Sequence, residues 1–385
     1  MGAERAGKVA VESYDIELDL RSPASKNFRS RTLVRFTSER PATISTALSA
    51  NSIESITLNG DPLPVSDVWD GARLELDGLA SVNMLRVDGI FPYAIEDRGL
   101  RRAQDPDGAA YAYSAMYPTS ASRVFCYLND PGSRAKISMN LSTPAEWTCL
   151  TNDTTRPFDA RMITCAAGPW SPLHRGMVTA VDSPLPVAVH AQRARAGERS
   201  LGRNIADLMA RSIALYERQL GVPYPYRKAE AVLVHGFPSL GFSGPGLIMF
   251  NDNLFDLIAT NGPQYAAIVV SHEVAHAWIG DMVDDHWLVE ACATYLSRNA
   301  VRDLIPDSDG WNMPESVAPD TGYATDAKLI KNLEHTIGPE HLYRGLGTFC
   351  RRFANQDATR ADLTACWSQI ADHDITGWAG SHESQ

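Results

Sequence analysis

Alternating apolar and polar side chains dominate the first third of the chain. Between residues 14 and 20, four apolar residues alternate with three acidic ones, and a second run of the same period covers residues 32–36. A period of two is typical of strands with one buried face, usually in antiparallel sheets. Asn59-Gly60 follows another apolar segment, and this dipeptide favours a tight hairpin turn. This part of the chain is therefore predicted to be rich in β-sheet.

The periodicity changes after Asn204. Apolar residues are then spaced as on one face of a helix, which is predicted to end near Gly221. Residues 231–234 and 247–250 predict two buried strands on either side of a glycine-rich loop. More helices are expected in the rest of the chain.

The change of period divides the sequence into two predicted domains. Pro184 and Pro186 mark the predicted boundary between the two patterns. We therefore expect an N-terminal β-sheet domain over residues 9–184 and a second domain over residues 185–385. Together they correspond to an α+β fold class.

Residues 272–276 read His-Glu-Val-Ala-His within a segment that is apolar nearly all round. On a helix, histidines four positions apart project from one face and can bind the same metal ion. Because the predicted helix is buried, its polar side chains need partners, and a cation supplies them. Catalytic zinc keeps an open position, where a water of lowered pKa becomes a nucleophile. His272 and His276 are thus candidate zinc ligands, and Glu273 is the candidate base.

A third ligand is expected in the next apolar helical segment, residues 287–296. Glu290 lies there, and burying its carboxylate would be costly without a cation. The nearby alternatives are Asp281, Asp284, Asp285 and His286. A metzincin is excluded because Ile279 occupies the position where that class needs glycine.

These motifs resemble the aminopeptidase N-like family of gluzincin metallopeptidases, with its patterns H-E-x-x-H-x-W-x-G-N-x-V and W-L-N-E-G-F-A-T-Y. Residues 272–283 and 287–295 follow the two patterns closely. Further similar segments are residues 111–113, 122–125, 129–131, 135–136 and 323–327. The resemblance covers nearly the whole chain. It implies an N-terminal antiparallel β-saddle domain, followed by a thermolysin-like α/β catalytic domain that holds one zinc ion.

The resemblance also implies roles for residues outside the metal motif. Tyr323 occupies the place of the family tyrosine that donates its hydroxyl to the oxyanion. Ser243 replaces the glutamate of the G-A-M-E-N motif, which anchors the free amine of the substrate, and Ala115 and Tyr117 replace a second Gln or Glu anchor. Ser243, Gly244 and Tyr117 are therefore candidate substrate-binding residues. Losing two hydrogen bonds to a charged amine would weaken its recognition by several kcal/mol.

The loop between the metal ligands also departs from the family. Glu290 follows His276 by 14 positions, five fewer than in the family pattern. Zinc constrains the positions of its ligands and not the chain between them, so a shorter loop still permits the site. The shorter loop predicts an active-site rim with less wall material and an altered choice of substrate. Asp284 or Asp285 could instead supply the negative charge that recognises an amine.

Composition narrows the class of partner. The chain has 385 residues, 44% of them hydrophobic, and a net charge of −11, which argues against nucleic acid as a partner. The first eight residues lack the apolar run of a signal peptide, and no apolar segment is long enough to span a membrane. We expect a cytoplasmic protein. Without C-x-x-C pairs, its six cysteines are expected to be reduced core residues.

The sequence ends at Gln385, about where the catalytic domain ends in the family. We therefore expect that the C-terminal helical domain is absent, and that the cleft is open or is covered in a homo-oligomer or by a partner subunit. The leading hypothesis is a zinc hydrolase of peptides or small amides that need no free α-amine. The alternatives are a zinc enzyme of the same fold that acts on a small non-peptide metabolite, by epoxide opening, lyase or cyclase chemistry in a biosynthetic pathway, and a non-catalytic zinc-binding module.

Overall fold

The chain forms two compact units. The computed structural model describes residues 9–39, 43–95, 98–116, 120–128, 134–179, 184–280, 286–312, 324–354, 356, 358–375 and 378. The first unit comprises Met1–Trp170 with Gln192–Ala194, and the second comprises Ser171–Ala191 with Arg195–Gln385. The division falls earlier than the predicted boundary at residue 184. The reason is that strand Ser171–Thr179 pairs along its length with strand Pro184–Ala191.

The first unit is built mainly from strands. They are β1 (Val9–Asp19), β2 (Asn27–Ser38), β3 (Ile44–Ala47), β4 (Ser52–Leu58), β5 (Asp61–Leu63), β6 (Arg73–Leu76), β7 (Val82–Pro92), β8 (Gly99–Gln104), β9 (Ala110–Ala115), β10 (Arg134–Ser142), β11 (Thr148–Thr151), β12 (Phe158–Asp159) and β13 (Cys165–Gly168). A short helix, α1 (Val65–Val68), and 3-10 turns at Ala121–Arg123 and Ala160–Met162 lie between them.

These strands form a seven-stranded sheet of order β12-β10-β1-β2-β7-β4-β5, a four-stranded sheet of order β11-β13-β9-β8, and the pair β3-β6. The predicted alternation is confirmed, since Tyr14, Ile16 and Leu18 are buried. The predicted hairpin joins β4 to β5, with φ values of 57° at Asn59 and 94° at Gly60. Left-handed conformations at both central positions match the turn type that this dipeptide favours.

One strand pair differs from the antiparallel expectation. β1 and β10 run parallel in the large sheet, whereas the other strand pairs of that sheet are antiparallel. Parallel neighbours need a long crossover connection, and here more than a hundred residues separate the two strands. Periodicity along either strand carries no information about this pairing.

The second unit combines a sheet with helices. Its elements are β14 (Ser171–Thr179), β15 (Pro184–Ala191), α2 (Arg199–Leu220), β16 (Ala229–Val234), β17 (Gly241–Gly244), β18 (Leu247–Asn251), α3 (Leu254–Asn261), α4 (Pro263–Ile279), α5 (His286–Leu304), α6 (Ala324–Ile337), α7 (Pro339–Arg352) and α8 (Arg360–Ala371). A 3-10 turn at Arg193–Arg195 precedes α2. The sheet order is β14-β15-β16-β18-β17, in which the three central strands are parallel and the two outer strands are antiparallel to their neighbours.

The helices of this unit follow their sequence signals. α2 ends where Gly221 adopts a left-handed conformation with φ 62°, as predicted from the change in pattern. α4 begins with Pro263 in its first turn, where the missing N–H costs nothing. Among the described helices, none has the length and apolar character needed to cross a membrane. All six cysteines are free, and five of them are buried, as expected for core residues; Cys149 is exposed, so the core prediction is wrong for this residue.

Candidate active site

Two neighbouring helices bring the three predicted metal ligands together. His272 and His276 lie one turn apart on α4, and Glu290 projects from α5, which packs against α4. The Nε2 atoms of the two histidines are 3.1 Å apart. Glu290 approaches them with Oε2 at 3.2 Å from His272 Nε2 and Oε1 at 3.7 Å from His276 Nε2.

This donor set fits a zinc ion. Zinc binds nitrogen and oxygen donors at about 2.0–2.2 Å, so tetrahedral ligands lie roughly 3.3–3.6 Å apart. The three measured separations, from 3.1 to 3.7 Å, lie close to that interval. Among the described residues, this is the group of histidine and carboxylate side chains that could hold a metal ion. Three protein ligands leave one tetrahedral position for a water or a substrate atom.

The local electrostatics favour metal binding. Burial lowers the pKa of His276 to about 4, so its imidazole is neutral at neutral pH. Burial opposes ionisation of Glu290, but the adjacent His276 and the hydrogen bond with His272 outweigh it and lower the pKa of that carboxyl to about 2. A neutral imidazole and an ionised carboxylate are the forms that bind zinc. The other ring nitrogen of His272, Nδ1, lies 3.4 Å from the hydroxyl of the buried Thr294. This contact orients the imidazole ring.

His286, one of the alternative third ligands, lies at the edge of this site. Its Nδ1 is 3.8 Å from Oε1 of Glu290, and its side chain is 75% exposed. It therefore lies beside the carboxylate on the solvent side, while the two histidines of α4 flank Glu290 from within. The other three alternatives, Asp281, Asp284 and Asp285, lie outside the described residues.

Glu273 is buried directly beside the ligand cluster and contacts strand β17. Its Oε2 is 2.6 Å from the hydroxyl oxygen of Ser243, and its main-chain carbonyl is 2.8 Å from the same oxygen. Burial raises the pKa of the Glu273 carboxyl to about 7, an effect that the charge of Glu290 strengthens. The nearby His272 and the Ser243 hydrogen bond act in the opposite direction.

A second residue of β17 also touches the Glu273 carboxyl. Gly241 packs so closely that a Cβ atom there would overlap Oε1 and the carboxyl carbon of Glu273. Alternate residues of a strand project to the same face, which puts Gly241 and Ser243 on one side of β17. Sequence reasoning identified position 243 as an altered substrate anchor and missed these contacts. The two-residue spacing within a short strand was the available signal.

The remaining candidate residues are placed as follows. Gly244 is buried at the end of β17, opposite Leu247 of β18. Tyr117 and Tyr323 lie outside the described residues. Helix α6 begins at Ala324, immediately after Tyr323. The roles assigned to Tyr117, Gly244 and Tyr323 stay predictions.

Comparison with known proteins agrees with this architecture. Residues 205–321 match the peptidase family M1 domain. The chain is 25% identical to aminopeptidase N of Streptomyces lividans across 98% of its own length and 50% of that protein. It is 28% identical to aminopeptidase 2 of Candida albicans across 72% of its own length and 36% of the relative. It therefore spans half or less of the length of these relatives.

A solved structure supports the fold. Aminopeptidase A of Legionella pneumophila, determined in complex with aspartic acid, superposes with a TM-score of 0.79 over 97% of this chain and 49% of the other, at 15% identity. The β-rich unit followed by an α/β unit, with a histidine pair and a glutamate on adjacent helices, is the arrangement expected from the resemblance to gluzincin metallopeptidases. These similarities agree with the resemblance of the chain to the aminopeptidase N-like family. The predicted α+β fold class is confirmed.

Proposed function

We propose that this protein is a zinc-dependent hydrolase that cleaves peptide or other amide bonds. The observation that carries the proposal is the convergence of His272, His276 and Glu290 beside the buried carboxyl of Glu273. The similarity of the chain to two aminopeptidases supports the proposal. A bound zinc ion would supply an activated water and polarise the scissile carbonyl.

The chain's own residues would transfer the protons, orient the ring of His272 and stabilise the oxyanion. Glu273 accepts the proton of the attacking water and returns it to the leaving amine, so one carboxyl group acts first as base and then as acid. The hydroxyl of Thr294 orients the ring of His272. Tyr323, by its place in the family pattern, would donate to the oxyanion, a contribution worth roughly 3 to 4 kcal/mol.

We further propose that the substrate needs no free α-amine, because residue 243 does not anchor one. A serine hydroxyl carries no charge, and the hydroxyl of Ser243 is already hydrogen-bonded to Glu273. A hydrogen bond from a charged amine to a carboxylate contributes about 1.5–3 kcal/mol, which this position does not supply. Neutral, blocked or internal amide bonds thereby become candidate substrates.

Substrate profiling tests both parts of the proposal. The zinc-loaded protein is incubated with matched peptides whose N-termini are free or acetylated, and products are identified by mass. We expect both series to be cleaved with values of kcat/KM within about tenfold of each other. Cleavage of free-amine peptides alone would contradict the altered recognition. Turnover of small non-peptide substrates such as epoxides, with no amide cleavage, would favour the metabolite enzyme instead.

The Glu273→Gln variant provides the matched control. It keeps the size of the side chain but cannot take a proton from water, so turnover should fall by at least about a hundredfold while zinc content stays at one ion per chain. Full biological activity of this variant would favour a non-catalytic zinc-binding module. The cytoplasmic location stays a prediction, and so does a homo-oligomer or partner subunit that covers the cleft.

A further inference from the structure

We infer that strand β17 holds the carboxyl group of Glu273 in position, with Ser243 as a positioning residue for the base rather than a contact for the substrate. The inference rests on the proposed function, because it concerns the residue that would move the proton. Two independent contacts carry it. One is the hydrogen bond from Ser243, and the other is the close approach of Gly241.

The position of β17 is fixed by its neighbour in the sheet. β17 pairs antiparallel with β18, so that Gly241 lies opposite Phe250 and Ser243 lies opposite Ile248. Phe250 and Ile248 are buried in the core of the second unit. The strand therefore presents a fixed surface to α4, on which the carboxyl group of Glu273 rests.

The two residues restrict the carboxyl group in different ways. Gly241 allows contact because it has no side chain, and a Cβ there would occupy the place of Oε1. Ser243 fixes the other oxygen, Oε2, at 2.6 Å. With one oxygen in van der Waals contact and the other in a hydrogen bond, rotation of the carboxyl group is restricted. A base that must meet a water molecule in one orientation benefits from such restriction.

The hydroxyl of Ser243 can serve both protonation states of Glu273. It has one proton to donate and two lone pairs that accept. When Glu273 is ionised, the hydroxyl donates to Oε2 at 2.6 Å. When Glu273 is protonated, the carboxylic acid donates to the serine oxygen, and the hydroxyl proton turns to the main-chain carbonyl of Glu273 at 2.8 Å. The proton stays on Glu273 and only the hydroxyl rotates, so the base is held before and after it takes up a proton.

This arrangement predicts which kinetic constant a substitution changes. A residue that acts through Glu273 affects the chemical step, whereas a residue that contacts substrate also affects binding. In Ser243→Ala, kcat should therefore fall by about tenfold, the equivalent of one hydrogen bond, while KM changes by less than about twofold. Ser243→Thr keeps the hydroxyl and should retain most of kcat.

The control is Ser212→Ala, which removes a buried hydroxyl from α2 in the same unit. Ser212 is fully buried and has no hydrogen-bond partner among the described residues, so this variant should leave kcat unchanged. All variants are compared by zinc content and by thermal unfolding. A normal zinc content and a melting temperature close to that of Ser212→Ala establish that Ser243→Ala folds.

Crystal structures provide a readout that does not depend on turnover. In Ser243→Ala, the carboxyl group of Glu273 should occupy more than one orientation, and in Gly241→Ala it should be displaced from β17. An unmoved, singly ordered carboxyl group in Ser243→Ala would overturn the inference. So would an unchanged kcat, or a loss that appears in KM alone. Failure of the proposed function is separate, since the wild-type zinc-loaded protein would then cleave no amide at all.

Discussion

Removing the charge of Glu273 should stabilise the metal-free protein at alkaline pH. Burial raises the pKa of this carboxyl from its ordinary 4.5 to about 7. Below pH 4.5 the group is protonated in both the folded and the unfolded state, so no buried charge lowers the free energy of unfolding. Above pH 7 it is ionised in both states, and the folded state bears the full cost of the buried charge. The separation of the two pKa values corresponds to about 3 kcal/mol, lost as the pH rises from 4.5 to 7.

The Glu273→Gln variant isolates this contribution. Glutamine keeps the shape of the side chain and can still accept a hydrogen bond from Ser243 at the place of Oε2. Titrating groups that do not interact with Glu273 cancel in the difference, whereas its interactions with His272 and Glu290 change with it and are part of the contribution that is measured. Stability is measured by denaturant unfolding of both chelator-treated proteins at pH 5 and pH 8. The variant should gain up to about 3 kcal/mol over the wild type at pH 8 and much less at pH 5.

The same measurement can refute the reasoning. If the variant is less stable than the wild type at pH 8, the hydrogen bond from Ser243 outweighs the cost of burying the charge. If the difference between the proteins is equal at both pH values, Glu273 does not titrate in this interval. In either case the carboxyl group is not the desolvated acid that its burial indicates.

Three further predictions concern the metal and the packing. Zinc at a hundred times its dissociation constant should raise the free energy of unfolding by about 2.7 kcal/mol, and calorimetry of Glu290→Ala should show this gain lost. His286→Ala should keep one zinc ion per chain by metal analysis, because its exposed imidazole lies outside the ligand triad; loss of zinc would identify it as a ligand. Gly347→Ala should cost about 1–3 kcal/mol or more in denaturant unfolding, because its Cβ would overlap the carbonyl oxygen of Leu220. Gly197→Ala, with open space around the added methyl group, is the control and should change stability little.

The hydrophobic pattern and the spacing of the ligands were sufficient to predict the helices that carry the metal ligands. The apolar character of residues 265–279 predicts a buried helix, and α4 is buried nearly throughout. The four-residue spacing of His272 and His276 fixes their common face once the helix forms. Glu290 could be selected because a buried glutamate needs a cation, and it lies in the interior of the second unit between α4 and solvent-exposed His286.

The contacts of β17 could not be predicted from the sequence in the same way. Ser243 lies 30 residues before Glu273 and Gly241 lies two residues earlier still, and their contact with Glu273 depends on how the outer strand of the sheet packs against α4. Hydrophobic periodicity describes one element at a time and does not report which elements adjoin. The parallel pairing of β1 with β10 was missed for the same reason. In both cases the information lies in the tertiary arrangement.

Position 243 connects substrate recognition with the chemistry of the base. A glutamate there, as in the family pattern, would begin from a Cα whose present side chain points at Glu273. Two carboxylates at hydrogen-bond distance repel each other and raise the pKa of one of them, so such a glutamate must extend away from Glu273 toward a cationic group. A serine at position 243 has neither the negative charge of a glutamate nor its repulsion of Glu273. It removes the negative charge that would recognise an amine, and it supplies a short, neutral hydrogen bond to the base. The proposed change in substrate recognition and the proposed support of Glu273 would therefore be two consequences of one residue, and Ser243→Glu should alter both at once.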